Sequence, residues 1–335
     1  MRVSLRCVAE RAGVSDATAS RVLNGVDAPV ARETRERVLR IAAEIGYTPN
    51  LAAKALATGR TKTVALWSVN LRAPHSSQVV YCMRDEIMKN DYDLTISDFK
   101  FRSDGALDTS RIISWPVDGV IAVDLPRGDV PGLSNSLLGG KPLVSIGAYV
   151  LENIDHVYVD FAPMSAAAVR HLHSVGCRRI AYLVPNWFEW FRSADDARLR
   201  GYETAIEQLG LEPEFIVTEN EVRVAVGPVL KSHIALHGAP DALFCFNDNM
   251  TIAASRALRE VGLIPGRDVK LVGCDGIDDS ADFYPPLTTV VQPVEEMCAV
   301  AWTFLARRIK DPDIPVQQMT LTAKLEIRGS STGDF

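Results

Sequence analysis

The stretch LRCVAERAGVSDATASRVLNG, residues 5–25, decides how the start of the chain is read. Leu5, Val8, Ala9 and Ala12 recur at helical spacing until Gly13 breaks the run. Ser15 then stands as an N-cap before a second short helix with Val22 and Leu23 on one face. A helix, a glycine-containing turn and a second helix whose first half is small and polar make a helix-turn-helix. A third pattern puts Val38, Ile41, Ala42 and Ile45 at i, i+3, i+4 and i+7, with Gly46 as its stop. A plain three-helix mini-domain shares this periodicity. What favours DNA is Thr18, Ser20 and Arg21 on the outer side of the second helix, within reach of bases or phosphates in a major groove.

Charge points the same way. The 335 residues carry a net charge of −6, but residues 1–60 hold ten Lys/Arg against six Asp/Glu, so a basic head precedes an acidic body. With 47% hydrophobic and 23% charged residues the composition is globular, and the length suits two or three domains. No apolar run approaches the roughly 18 residues of a membrane span, and the start has no continuous apolar segment of a signal peptide. Cys7, Cys82, Cys177, Cys245, Cys274 and Cys298 are far apart, with no CxxC pair and no zinc spacing. Free thiols in a reducing cytoplasm are therefore expected, with no metal and no cofactor.

After residue 62 the rhythm changes. Short β-branched runs at 64–69, 93–97, 119–124, 142–147, 156–160, 179–184, 242–247, 269–274 and 288–292 alternate with amphipathic stretches such as Gln78–Lys89, Met164–Val175 and Met250–Val261. That alternation predicts βαβ units arranged as two parallel sheets, with a ligand held outside the carboxyl ends of the strands. No GxSxG, HExxH, GxxxxGK[ST] or strand-linked GxGxxG occurs, so no enzyme is expected. His171 and His173, on different sides of one helix, read as surface residues.

The head, continued by TRERVLRIAAEIGYTPNLAAKALATGRT (34–61), resembles the lactose-repressor/galactose-repressor family of bacterial transcription regulators. VDGVIAVD (117–124), RLRGYETAI (198–206), PDALFCFND (240–248) and VGCDGIDDSADFYPPLTTVVQP (272–293) extend the resemblance over nearly the whole chain. It implies an all-α helix-turn-helix head at 1–47 and a hinge and linker at 48–62. It also implies a two-lobed, periplasmic-binding-protein-like α/β core at 63–335. The N-lobe would take about 63–160 and 292–321, and the C-lobe about 161–291 and 322–329.

The resemblance further implies that Ser15, Asp16, Ala17, Thr18, Ser20, Arg21, Asn24 and Tyr47 serve the operator. Residues 50–57 would form a hinge that becomes helical only on DNA, with Asn50 and Lys54 beside Leu56, an apolar wedge in the minor groove. Effector contacts carried over by motif are Arg198, Asn247 and Asp275, converging from different strand ends, with Arg192 six residues before Arg198, Asp160 at the end of its strand, and Phe246 and Trp190 expected beside them. A guanidinium with Asp and Asn acceptors suits the hydroxyl pairs of a sugar; a structural ion pair between lobes is the plainer alternative for Arg198 and Asp275.

The chain departs from the family pattern in four places. Asp16 and Ala17 open the recognition helix where relatives have larger neutral or donor side chains, and Ala31 replaces a serine cap before the third helix. Ser76 and Ser77 remove a stacking face, whereas Trp187, Phe188, Trp190 and Phe191 crowd one loop, as core packing or as an aromatic wall for a ligand. The partners expected are double-stranded operator DNA, a small carbohydrate-like effector and a second copy of the chain, with no membrane. Val79, Val80, Met83 and Ile87 offer a face for pairing, and the absence of terminal leucine heptads favours dimers. Effector-induced release from a pseudo-palindromic operator is the expected mode, because it is the commoner one in the resembling family. Corepression, or a sugar sensor that does not act through DNA, is the alternative.

Overall fold

The structure, a computed structural model, describes residues 4–24, 29–48, 55, 58–68, 71, 73–98, 108–125, 133–134, 137–186 and 196–334. Asn50, Lys54, Leu56 and the loop carrying Trp187, Phe188, Trp190, Phe191 and Arg192 lie outside these residues. The chain divides into a head unit and a core unit, with the linker's last residue, Lys62, in the first and Thr63 opening the second.

In the head, helix α1 (Leu5–Ala12) ends at Gly13, whose φ of 64° a side-chain-bearing residue adopts only at a cost. Helix α2 (Asp16–Leu23) begins where the Ser15 hydroxyl accepts the Thr18 N–H at 3.2 Å. Helix α3 (Arg32–Glu44) closes the unit. Val8, Ala9, Ala12, Ala19, Val22, Val38 and Ala42 form its core, too few large side chains for a wide margin of stability. Ala31 at the N-cap of α3 makes no capping bond. Ala31→Ser should therefore raise the stability of the head by about 0.5–2 kcal/mol. Thermal melts of a fragment spanning the head, wild type against variant, measure this, and an unchanged midpoint would count against it.

The core unit holds two sheets. The first orders its strands β13-β7-β6-β3-β1-β2, with β1 (Thr63–Ser68), β2 (Asp93–Asp98), β3 (Gly119–Val123), β6 (Lys141–Gly147), β7 (Asp155–Asp160) and β13 (Gln318–Thr322), all parallel. Short antiparallel strands β4 (Leu133–Ser134) and β5 (Leu137–Leu138) extend it beside β6, and a short helix, α5 (Ser110–Ser114), precedes β3. The second runs β14-β12-β11-β10-β8-β9, with β8 (Ile180–Pro185), β9 (Glu214–Thr218), β10 (Ala242–Cys245), β11 (Lys270–Asp275) and β12 (Thr288–Val291) parallel and β14 (Lys324–Glu326) antiparallel at the edge. The chain passes between sheets three times: after Asp160, after Val291 and at Ala323. The three crossovers leave from the carboxyl ends of β7, β12 and β13.

Two expectations change. Val79, Met83 and Ile87 of helix α4 (Pro74–Met88) are fully buried against their own lobe, so they are not a pairing face; Tyr81 and Met88 are the exposed apolar residues of that helix. A helix docked on a sheet spends its apolar stripe there. His171 is half-buried rather than on the surface, because the carboxy-terminal turn folds back and brings the Ser331 hydroxyl 2.8 Å from its Nε2.

Candidate functional site

On the head, Ser15, Asp16, Ala17 and Arg21 are exposed, whereas Thr18, Ser20 and Asn24 are half-buried. The hydroxyls of Ser15 and Thr18 lie 2.9 Å apart, and the Asn24 amide donates to Ser20 Oγ at 3.1 Å. These groups thus fix the ends of α2, while Asp16 and Arg21 project freely from it. Tyr47 is half-buried against the head core, its N–H bonded to Ala42 O at 2.8 Å.

In the core, Arg198 opens a helix, α7 (Ala197–Gln208), that follows β8. The Asp196 carboxylate caps this helix, accepting the N–H groups of Arg198 and Leu199 at 2.9 and 3.2 Å. Gly201 lets it press on helix α6 (Ala162–Ser174): an added Cβ would fall 2.4 Å from the Ala162 carbonyl oxygen. The guanidinium so placed is buried, with Nη2 3.3 Å from Asp275 Oδ1 and Nη1 3.6 Å from Asp196 Oδ2. Phe161 and Phe246 hold its face, with ring centroids 4.0 and 4.8 Å from Cζ. Burial works to lower the pKa of Arg198, but the two carboxylates outweigh it and keep the group charged.

Asp275 ends β11 with φ 109°, a region a residue with a side chain rarely enters, and such strain collects at functional sites. Asp248 holds it there. Its Oδ2 accepts the N–H groups of Gly276 and Ile277 at 2.8 and 3.0 Å, and its Oδ1 accepts the Thr289 hydroxyl at 2.6 Å. Gly273 admits Asp248, since a Cβ there would stand 2.1 Å from Asp248 Oδ1. Burial pushes the Asp248 carboxyl up to about 7.

The crossovers add further groups. Gln292 Nε2 donates to Asp275 Oδ1 at 3.0 Å and lies 3.2 Å from His75 Nε2 on α4. Asp124, after β3, is raised by burial and interacts electrostatically with His75, Arg198 and Asp275. Tyr149 is pushed well up by burial and feels Asp196 and Arg198.

Of the residues expected at this site, Arg198, Asp275 and Phe246 come together. Asn247 sits next to Phe246 but caps helix α9 (Asp248–Glu260), accepting from Met250 N–H at 2.9 Å, and donates to Glu221 at 3.2 Å. Asp160 accepts the Ala162 N–H at 3.0 Å and lies 3.8 Å from Arg200 Nη2, so its partners among the described residues are not those of Arg198. Arg192 and Trp190 lie outside the described residues. His75, Asp124, Phe161, Asp196, Asp248 and Gln292 were not anticipated. The signal for Asp248 and Gln292 was their place beside Asn247 and at the end of TTVVQ.

A helix-turn-helix head followed by a two-lobed core with charged groups at its strand ends defines a ligand-responsive DNA-binding protein. Residues 4–50 match the family model of bacterial regulatory proteins, lacI family, and residues 169–331 match the periplasmic binding protein-like domain. The chain is 30% identical to the ribose operon repressor of Haemophilus influenzae and 31% identical to the transcriptional regulator CelR of Thermobifida fusca, covering 98% of each chain in both cases. Its fold is similar to that of the Lac repressor dimer bound to operator and an anti-inducer (TM-score 0.82, 23% identity, 99% of each chain). It is also similar to a CelR–cellobiose complex (TM-score 0.68, 28% identity, 98% of this chain and 100% of that one). The chain belongs to the lacI family of bacterial regulatory proteins; it is a DNA-binding transcriptional regulator, not an enzyme.

Proposed function

We propose that this regulator is a cytoplasmic, nucleoid-associated homodimeric repressor, released from a pseudo-palindromic operator by a carbohydrate-like effector bound between its lobes. The observation that carries the effector half is the buried Arg198–Asp275 pair under two aromatic rings, at strand ends joined by the crossovers. The ribose operon repressor and the CelR–cellobiose complex, both relatives at full length, support a sugar. No helix among the described residues is long and apolar enough to cross a membrane. Tyr81, Met88 and Val224, respectively 59, 60 and 81% exposed, offer apolar contact area for a second copy.

In this reading Ser15, Asp16, Ala17 and Arg21 present α2 to the major groove, and residues 50–57 fold as a hinge helix on DNA. Eight residues are too few for a helix to stand alone, so two copies and the duplex must support it. Leu56→Ala should weaken operator binding and reduce the bend, with effector affinity unchanged. Arg21→Ala should weaken operator binding without changing the bend and, if it contacts only phosphate, lower the salt slope by about one. Electrophoretic bending assays and salt titrations separate the two, and equal bending by Leu56→Ala would remove the wedge. Fragments carrying residues 1–62 and residues 63–335 should bind operator and sugar respectively.

A further inference from the structure

We infer that His75 is a specificity-determining residue of the effector cleft, donating a hydrogen bond from Nδ1 to a hydroxyl of a neutral sugar. This rests on the carbohydrate reading proposed above and adds the residue and the chemistry that choose among sugars.

The tautomer follows from the partners. Asp275 Oδ1 already receives Arg198 Nη2, so the Gln292 group facing it at 3.0 Å must be the amide nitrogen; an amide oxygen there would meet a carboxylate. That nitrogen has two hydrogens and no lone pair to offer. The second hydrogen points to His75 Nε2 at 3.2 Å, which must therefore accept. A neutral imidazole that accepts at Nε2 carries its proton on Nδ1. His75 is only 7% exposed, and Nδ1 has no partner among the described residues. A buried N–H donor without an acceptor is rare in folded proteins, and one beside a ligand cleft awaits an acceptor on the ligand.

The same cluster indicates what kind of acceptor. Arg198 Nε also lacks a hydrogen-bond partner, as does Asp196 Oδ2, so unsatisfied donors and an unsatisfied acceptor occur together. A hydroxyl satisfies either kind, whereas a carboxylate or phosphate oxygen only accepts. Among the described residues, Asp196 and Asp275 pair with one guanidinium and Asp124 interacts with it electrostatically, so an anionic sugar would meet a surplus of carboxylates there. His75 stands just before Ser76 and Ser77, which carry no stacking face; a polar, hydrogen-bonding reader takes up that edge of the cleft.

The test uses the full chain and a panel of neutral mono- and disaccharides, aldonic acids and sugar phosphates, ranked by thermal shift and measured by calorimetry. A neutral sugar should bind, and its acid and phosphate derivatives should bind at least tenfold more weakly. His75→Phe should weaken that sugar at least tenfold, and His75→Asn should recover part of the loss. Among the singly deoxygenated sugars, one should bind wild type and His75→Phe equally, because the variant has no bond left to lose. Tighter binding of an anionic sugar, or equal binding of the best fully hydroxylated sugar by wild type and His75→Phe, would overturn the inference and leave the carbohydrate reading standing. If His75→Phe weakened every analogue by one common factor, a packing role would replace it. If wild type bound nothing in the panel, the carbohydrate reading itself would fall, and the inference with it.

Discussion

Replacing Arg198 with alanine should lower the unfolding free energy by about 3–5 kcal/mol, because it strands the Asp196 and Asp275 carboxylates without their counter-charge in a buried site. The loss is electrostatic and also one of packing, since the guanidinium fills the gap between Phe161 and Phe246. The effector response should vanish while effector-free operator binding persists. Arg198→Lys keeps the charge but not the planar fork, so it should recover most of the stability and little of the response. Denaturant melts and operator titrations distinguish these outcomes. Loss of operator binding by the folded Arg198→Lys protein without ligand would mark the pair as structural.

The second large effect concerns Asp248. Its folded-state pKa, about 7, lies above the roughly 3.9 of an unfolded aspartate. A raised value means the folded state holds its proton more tightly. The associated stability is complete below about pH 4 and is lost as pH rises through 7. Asp248→Asn removes that dependence. Its amide oxygen can still accept from Gly276 and Ile277, and its NH₂ can face the Thr289 hydroxyl, which serves as donor or acceptor. The variant should therefore match wild type near pH 4 and exceed it by up to about 4 kcal/mol at pH 8. Urea unfolding between pH 4 and 8 reads this out, and a difference that stays constant across the range would refute it. The cost of carrying an acid here is offset by what it holds: the turn that fixes Asp275 at φ 109°.

How much of this was legible in the sequence depends on how local the physics is. The two helices around Gly13 and Ser15 were readable because caps and stops act within one turn of chain. Nine strands of the body, β1 to β3, β6 to β8 and β10 to β12, were readable to within a residue or two, since short β-branched runs show no competing helical pattern. Helix α8 (Arg223–His237) was not. It carries Pro228 in its interior and apolar residues on several sides, so neither breaker logic nor periodicity marks it. β13 and β14 escaped for a related reason: mostly exposed, they carry no continuous apolar run.

The site divides in the same way. Arg198 and Asp275 stood in motifs whose neighbours are contiguous in sequence, so their placement could be expected. His75, Asp124 and Gln292 meet them only because the crossovers bring together residues that lie up to 217 positions apart. No local pattern encodes that. The Val79–Met83–Ile87 stripe shows the converse error, since an apolar face announces burial but not against what.

In the proposed function, operator and effector oppose one another through a single molecule. That opposition is tested by the anisotropy of a labelled operator, selected from random duplexes, titrated with the full chain with and without a saturating neutral sugar. Coupling of about 1–3 kcal/mol predicts operator binding some 5- to 150-fold weaker with sugar, and sugar binding weakened by the same factor when operator is present. Operator affinity that is unchanged by a bound sugar, or strengthened by it, would contradict release.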